Sequence, residues 1–207
     1  MPSPSPQRRG PYAKTPARRR QIIDAAMALF AAHGFHNTSL RDVAAAAGIG
    51  QSTLRHHFPD KEALLLAALR RRDELGAGDV PERAEDFPAH ILGRATANRE
   101  LPELVELYSV VSAESVTDGH PGRQYFIDRF AELRCDYTRF LSALAGCGRL
   151  RAGVDPETAA TGLIALWDGL QVQWLLEPDR VDVPAQLAAY LDLIIIDGPG
   201  PGNPANS

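Results

Sequence analysis

The placement of proline and glycine along the chain is the feature that most restricts its fold. Pro102, Pro156 and Pro184 each stand at the start of a long run whose apolar residues recur at helical spacing. Gly119 and Gly146 follow the ends of such runs. No run alternates apolar and polar residues cleanly enough to predict a strand. The pattern therefore predicts an all-α fold of about nine helices.

Capping residues set the starts of the earlier helices. Thr15 is the expected N-cap of the first helix, and Pro16 its first residue. Ser39 and Asp42 form a capping-box pattern for the second helix, and Asp60 precedes the fourth. The predicted helices cover residues 16–34, 40–48, 51–57, 61–76, 87–98, 102–117, 122–145, 156–176 and 184–196.

Charge is distributed unevenly between the two ends of the chain. Residues 1–72 hold twelve Arg and Lys against four Asp and Glu, whereas the remaining residues hold ten basic and 22 acidic side chains. A basic first third on an acidic body points to a polyanion partner for that third alone. Uneven solvated charge without any partner is the alternative at this stage.

Two short predicted helices meet at Gly48 and span residues 39–57, which are the dimensions of a helix-turn-helix. The N-terminal residues of the second helix of such a unit enter the major groove of DNA. Gln51 can read adenine through its amide, and Ser52 and Thr53 can bond bases or phosphates. The unit therefore predicts a DNA-binding surface.

Basic residues near the same unit are candidates for phosphate contacts. Arg55 and His56 follow on the recognition helix, and Lys61 lies in the first turn of the next helix. Such contacts fix the register of a protein on DNA without reading its sequence.

The segment from about residue 18 to residue 68 carries a larger set of motifs. These are the AA–LF–GF end of the first helix, TS–RDVA, the AGI turn, the HF pair and the DKEALL helix start. The segment resembles the TetR family of regulators. The resemblance implies a homodimer that binds a near-palindromic operator, usually represses, and releases DNA when a small ligand enters the C-terminal domain. It also implies that Thr38, Ser39 and Lys61 touch backbone phosphates.

Two positions depart from the family pattern. Most relatives have Ser where this chain has Gly50, so a side chain that could bond DNA is missing. Most also have a phosphate-binding Tyr where this chain has Arg55, which keeps a phosphate donor and adds charge. The full set of candidate DNA-binding residues is Thr38, Ser39, Arg41, Gly50, Gln51, Ser52, Thr53, Arg55, His56 and Lys61.

The last two predicted helices are unusually apolar and resemble the closing helices of a TetR subfamily, which pack against their two-fold mates as a four-helix interface. A lone helix with so much apolar surface needs a partner. The predicted dimer-interface residues are Leu163, Leu170, Trp174, Leu187, Leu191, Ile194 and Ile195.

A ligand pocket is predicted between the middle helices, where aromatic and polar residues are expected to converge. The candidates are Phe87, His90, Tyr108, Tyr125, Phe126, Trp167, Asp168 and Gln171, with ordinary core packing as the alternative for each. Isolated polar groups beside aromatic rings suit a mostly apolar organic molecule with one or two hydrogen-bonding groups.

Together these patterns predict four segments. Residues 1–14 are a disordered basic arm, residues 15–76 the DNA-binding domain, residues 77–197 the helical ligand-binding and dimerisation domain, and residues 198–207 a disordered tail. No apolar run approaches the roughly 18 residues needed to span a bilayer, and no signal peptide is recognisable. We therefore expect a cytoplasmic protein without a membrane partner, which lies on the nucleoid when it is bound to DNA.

Three functional classes compete. A DNA-binding ligand sensor explains the basic first third, the helix-turn-helix and the apolar closing helices together. An enzyme is not expected, because no nucleophile signature, phosphate loop or metal spacing is present, and neither cofactor nor metal is predicted. The alternative is an all-α ligand-binding or interaction protein that acts as an activator or no longer regulates transcription. Cys135 and Cys147 are predicted to be buried free thiols.

Overall fold

The computed structural model describes residues 14–76 and 80–196, and it confirms the all-α fold. The helices of the described residues are α1 (Lys14–His33), α2 (Leu40–Ala46), α3 (Gln51–His57), α4 (Lys61–Gly76), α5 (Phe87–Asn98), α6 (Pro102–Glu114), α7 (Arg123–Gly146), α8 (Pro156–Leu176) and α9 (Val183–Ile194). A 3-10 turn at Ala84–Asp86 precedes α5. The predicted tail, and the predicted arm except for Lys14, lie outside the described residues.

Most predicted helix bounds are confirmed, and the differences have local causes. α1 already includes Lys14 and Thr15, so Thr15 is not its N-cap. α6 ends at Glu114, three residues early, because the chain turns towards Gly119, which has a positive φ of 77°. α9 ends at Ile194 because Ile195 forms an antiparallel bridge with Leu150 instead.

The predicted caps of α2 and α4 are confirmed. Ser39 accepts the backbone N–H of Asp42, and the Asp42 carboxylate accepts that of Ser39, which completes the capping box. The Asp60 carboxylate accepts the backbone N–H of Ala63 at 2.7 Å. These bonds satisfy N–H groups that the first helical turn would leave without partners.

Two hydrophobic cores organise the chain. The first joins α1–α4, which we call the head, to Leu107 and Val111 of α6 and Phe126 of α7. The second lies among α5, α7, α8 and α9, with Phe87, Leu141, Leu163 and Leu187 at its centre. The core of the head therefore extends beyond residue 76 and includes a face of α6.

The predicted dimer-interface residues belong instead to the second core. Leu163, Leu170, Trp174, Leu187, Leu191 and Ile194 are buried within the single chain, and Ile195 is half-buried. Six of the seven are therefore not a free surface of the single chain, and their place at a dimer interface stays a prediction. The physical reason is that large apolar side chains are buried first against the helices of their own chain.

The two cysteines are free, as expected, but they are exposed rather than buried. The inward stripe of α7 consists of Tyr137, Leu141 and Leu144, and Cys135 lies on the opposite side. Cys147 follows the last residue of α7, beyond that stripe.

The head contacts α6 beside Gly34, through Phe35 and Glu114, and substitution of Gly34 tests that contact. The φ of Gly34 is +75°, and a Cβ there would clash with the carboxylate of Glu114, which accepts the backbone N–H of Phe35 at 2.8 Å. Gly48 is the matched control, because its φ is +61° but a Cβ there would meet no heavy atom within 4 Å.

We expect Gly48→Ala to lower the free energy of unfolding by about 1–2 kcal/mol, the cost of a left-handed alanine. Gly34→Ala should cost at least about 1 kcal/mol more, because the Glu114 carboxylate must also move and the Phe35 N–H bond is lost. Urea unfolding of both variants measures the difference. Equal losses would show that Glu114 does not hold the head.

Candidate functional site

The helix-turn-helix is formed by α2 and α3. α2 buries Val43 and Ala44, and α3 buries Leu54. Gly48 adopts a left-handed conformation after α2, and the next amide, that of Ile49, bonds back to the carbonyl of Ala44 at 2.9 Å. This closure is typical of a helix C-terminus with glycine, and it turns the chain sharply into α3.

The turn leaves one face of α3 uncovered. Gln51, Ser52 and Thr53 are exposed at its start, and Arg55 and His56 are exposed further along. The predicted base-reading and phosphate-binding side chains of α3 therefore share the solvent-facing side of the helix.

An open groove runs between this helix and the start of α2, and we call it the helix-turn-helix groove. Its lining residues are His36, Asn37, Thr38, Ser39, Leu40, Arg41, Gln51, Arg55 and Lys61. Six of the ten predicted DNA-binding residues are thus brought together, and Gly50, Ser52, Thr53 and His56 lie on the adjoining exposed surface. Gly50 is the N-cap of α3 and supplies no side-chain cap, as its missing side chain implies.

Two predicted phosphate contacts need revision. Thr38 is buried, and its hydroxyl donates to the carbonyl of Gly34 at 2.8 Å, so this hydroxyl faces the interior of the head. The ammonium group of Lys61 lies at the edge of the helix-turn-helix groove but bonds the carbonyl of Phe35 at 2.8 Å and stacks over the Phe35 ring. A Lys61 contact to DNA would therefore replace or share an existing hydrogen bond.

A second site lies among α4, α5, α6, α7 and α8, and we call it the arginine cavity. Its volume is about 40 Å³, and four of the eight predicted pocket residues line it: Tyr108, Trp167, Asp168 and Gln171. The structure thus brings these four side chains together at one place between the middle helices. Gln171 is 3% exposed, and no hydrogen bond joins its amide to any residue that the structure describes.

The other four predicted pocket residues lie elsewhere. Phe87 and His90 line an adjoining open groove of about 530 Å³, the outer groove, which shares Arg94, Arg129 and Tyr137 with the cavity. Tyr125 lines neither site and donates its hydroxyl hydrogen to Asp73 at 2.5 Å. Phe126 is core, with its ring 5.3 Å from that of Tyr108.

Three arginines of the cavity wall were missed by the sequence prediction: Arg72, Arg94 and Arg129. Their spacing from buried apolar residues of the same helices could have identified them. Arg72 continues the buried stripe of Leu65 and Leu69 on α4. Arg94 lies three residues after buried Ile91, and Arg129 lies three after buried Phe126. Arginine on an apolar stripe indicates a buried guanidinium with an apolar stem.

The ionisable groups around the cavity differ in their burial and in their partners. Arg72 is 8% exposed, lies over the Tyr108 ring at 4.2 Å and pairs with Asp73 at 3.2 Å. Burial raises the pKa of Asp168 to about 6, although nearby Arg72 and Arg129 partly oppose this rise. Burial also raises the pKa of Tyr108 and lowers that of Arg94. The cavity is therefore a poorly hydrated, predominantly cationic site.

Comparison with known proteins identifies the whole arrangement. Residues 22–68 match the family model of bacterial regulatory proteins of the tetR family. Residues 95–195 match the model of the C-terminal domain of BetI-type transcriptional repressors. The first match covers the helix-turn-helix groove, and the second covers the cavity wall except Arg72 and Arg94. The chain belongs to the TetR family of transcriptional regulators.

Relatives of this regulator are transcriptional regulators with the same fold. RutR of Escherichia coli K12 is 31% identical over 98 residues, but the match covers 44% of this chain and only 46% of RutR. The repressor Rv1474c of Mycobacterium tuberculosis is 29% identical over 86% of this chain and 91% of its own length. A Saccharomonospora viridis regulator, solved with choline, superposes with a TM-score of 0.73 at 24% identity, over 88% of this chain and 100% of its own.

No enzyme function is indicated for this regulator by its relatives. Within residues 14–76 and 80–196, no group of three or more His, Cys, Asp and Glu side chains is placed to hold a metal ion. In the same ranges, no helix is both long and apolar enough to cross a membrane.

Proposed function

We propose that this regulator is a homodimeric repressor that binds a near-palindromic operator through α3 and is released by a small organic ligand in the arginine cavity. One observation carries the proposal. α4 reaches both sites, because Lys61 lines the helix-turn-helix groove and Arg72 lines the cavity. Eleven residues of helix separate them by roughly 16 Å. Such a protein acts in the cytoplasm, on the nucleoid when bound to its operator.

On the DNA side, the exposed start of α3 supplies the proposed base contacts. Gln51 is assigned to read an adenine, and Ser52 and Thr53 to bond bases or phosphates. Phosphate contacts are assigned to the exposed side chains of Ser39, Arg41, Arg55 and His56 and to Lys61. Thr38 and Gly50 contribute no side chain to this set, although their backbones lie on the same face.

The proposed dimer surface is the outer face of α8 and α9. Val172, Leu176 and Leu193 are 46%, 77% and 67% exposed in the single chain. The small exposed residues Ala165 and Gly169 share the Val172 face of α8 at helical spacing, which allows close approach of a second helix. We take these exposed apolar side chains on the two closing helices as the interaction surface.

Coupling between the sites is proposed to run through the C-terminal half of α4. Arg72 is held by Asp73 and the Tyr108 ring, and Asp73 also accepts from Tyr125 of α7. A ligand that rearranges these contacts would tilt α4 and change the separation of the two recognition helices, which must enter successive major grooves. A preference of about 1–3 kcal/mol for the tilted state would weaken operator binding roughly 5–150-fold, and the operator must weaken ligand binding equally.

Substitutions in α3 and α4 test the DNA-binding assignment. We expect Gln51→Ala to lose about 1–3 kcal/mol of binding at one base position, so operator binding weakens but binding to random DNA does not. Lys61→Ala should weaken binding to operator and to random DNA about equally. It should also reduce by about one the slope of the logarithm of the binding constant against the logarithm of the salt concentration. Gel shifts over a salt series with operator and scrambled DNA separate the two effects. A sequence-independent loss in both variants would remove Gln51 as the base reader.

A further inference from the structure

Two of the three arginines in the cavity wall have no carboxylate partner among the residues that the structure describes. Arg94 donates to the backbone carbonyl of Gly76 at 2.9 Å, and no ion pair joins it to an acid. Arg129 makes no hydrogen bond or ion pair with any described residue, and its Nε is buried without an acceptor. A buried donor without an acceptor destabilises the site that contains it, so Arg129 is available to an incoming anion, as are the N–H groups of Arg94 that Gly76 does not accept.

The acidic residues of the cavity wall do not balance this charge, although Glu74 and Asp136 line the outer groove that adjoins it. Asp73 is already shared between Arg72 and Tyr125. Asp168 is the remaining carboxylate in the wall, and it lies beyond ion-pair distance of each arginine. Counting Arg72 with Asp73 as a neutral pair, Arg94 and Arg129 face Asp168 alone, so the wall keeps an excess of positive charge.

We propose that the ligand of this regulator is an organic anion whose carboxylate or similar group binds Arg94 and Arg129 and whose apolar body packs on Trp167 and Tyr137. The inference rests on the proposed function, because it names the ligand class of the same cavity. Arginine presents paired N–H donors in the geometry that a carboxylate accepts, and such charge-assisted bonds are strong in a poorly hydrated site.

The aromatic residues of the cavity do not favour a cation in its place. A quaternary or primary ammonium ion would need the face of an aromatic ring: the Tyr108 face is already covered by the guanidinium of Arg72 at 4.2 Å, and the other two rings, Trp167 and Tyr137, share the wall with the guanidinium groups of Arg94 and Arg129, which repel a cation. Asp168 is the one carboxylate of the wall, and it is outnumbered there by the guanidinium groups of Arg94 and Arg129. Both observations favour an anion.

Arg94 and Arg129 also connect the cavity to the outside. Both line the outer groove as well as the arginine cavity, together with Leu133 and Tyr137. An anion that enters through the outer groove would pass the acidic residues that also line it, Asp73, Glu74 and Asp136, and would meet both guanidinium groups where the groove joins the cavity. The present cavity of about 40 Å³ has room for little more than one water molecule, so ligand binding must widen it.

A charge series tests the inference. Phenylacetate, phenylacetamide and phenethylamine share a ring and chain length but carry a negative, no and a positive charge. We expect the full-length protein to bind phenylacetate about ten-fold more tightly than either of the others, as measured by titration calorimetry and by fluorescence of Trp167 and Trp174. Benzoate and indole-3-acetate extend the series to smaller and larger bodies.

Three variants assign the effect to the cavity. Arg129→Gln should remove the preference for phenylacetate, whereas Arg134→Gln, an exposed arginine on the same helix, should leave it unchanged. Asp168→Asn should tighten phenylacetate binding, because it removes the acidic charge that faces Arg94 and Arg129. Tighter binding of the amine, equal binding of the three compounds, or no binding of any of the three carboxylates would overturn the inference.

The same preparations separate this inference from the proposed function. If operator binding is intact and the anion preference is absent, only the ligand class is wrong. If the protein binds no DNA site specifically, the proposed function fails whatever the three compounds do.

Discussion

Replacing Val172 and Leu193 by aspartate is expected to convert the regulator from a dimer to a monomer and to weaken operator binding by at least about 100-fold. Both side chains lie on the outer face of α8 and α9, 46% and 67% exposed in the single chain. Aspartates in the proposed dimer interface would bury unpaired charge, which costs several kcal/mol. A monomer holds one half-site and loses the gain from binding two half-sites at once, roughly 10²–10⁴ in affinity.

Sedimentation velocity and gel shifts measure the two consequences. Val116→Asp is the matched control, because Val116 is 75% exposed but lies between α6 and α7, away from the proposed face. It should leave both the dimer and operator binding unchanged. The interface assignment does not survive if the double variant sediments as a dimer, or if the control also dissociates.

Asp168→Asn is expected to stabilise the regulator at pH 7–8 by about 1–3 kcal/mol relative to the natural chain. The pKa of Asp168 is raised to about 6 from an ordinary value of 3.8, so folding is opposed once this carboxylate ionises. A pKa raised from 3.8 to about 6 corresponds to roughly 3 kcal/mol, and the half-buried position of Asp168 reduces the expected gain in stability.

The pH dependence gives the sign of the effect. Between pH 4 and pH 6 the unfolded chain has released the Asp168 proton but the folded chain retains it, so this residue makes the natural chain less stable as pH rises. The difference from Asp168→Asn should therefore vanish near pH 4 and be complete above about pH 6. The groups that face Asp168 across the cavity, all unchanged in the variant, are Arg72, Arg94, Tyr108, Arg129 and Tyr137.

Urea unfolding at one protein concentration and at several pH values provides the measurement. Asp179→Asn serves as control, since Asp179 is exposed in the turn between α8 and α9 and should change stability little at any pH. A constant difference between Asp168→Asn and the natural chain from pH 4 to pH 8 would contradict the assigned pKa shift.

The helices and the helix-turn-helix could be predicted because their determinants are local. The capping box at Ser39, the left-handed turn at Gly48 and the apolar spacing of α2 and α3 are each set within one or two helical turns. The exposed face of α3 follows directly from that spacing, so the positions of Gln51, Ser52 and Thr53 on the surface could be read from the chain.

The dimer face and the cavity wall depend on contacts distant in sequence. α8 is apolar on several sides, and the sequence does not distinguish the side that packs on α7 from the side that we propose as the dimer surface. Side-chain size does not identify the outer face, because Leu163, Leu170 and Trp174 fill the chain's own core and smaller residues such as Ala165 and Gly169 remain outside.

The arginines of the cavity were missed for a different reason. Arginine is usually a surface residue, so its place on the inward stripes of α4, α5 and α7 becomes informative only when the packing of those helices is known. The inward position of Thr38 was missed similarly, because its hydroxyl bonds a carbonyl of the preceding turn, that of Gly34.

Selection of binding sites from random DNA by the full-length protein tests the central claim most directly. The proposed function predicts an enriched near-palindrome whose half-sites lie about one helical turn, roughly 10 base pairs, apart, as two α3 helices of a symmetric dimer require. Gln51→Ala should relax one position in each half-site of that sequence. Failure to enrich any sequence, or enrichment of a site without two-fold symmetry, would contradict an operator-binding dimer.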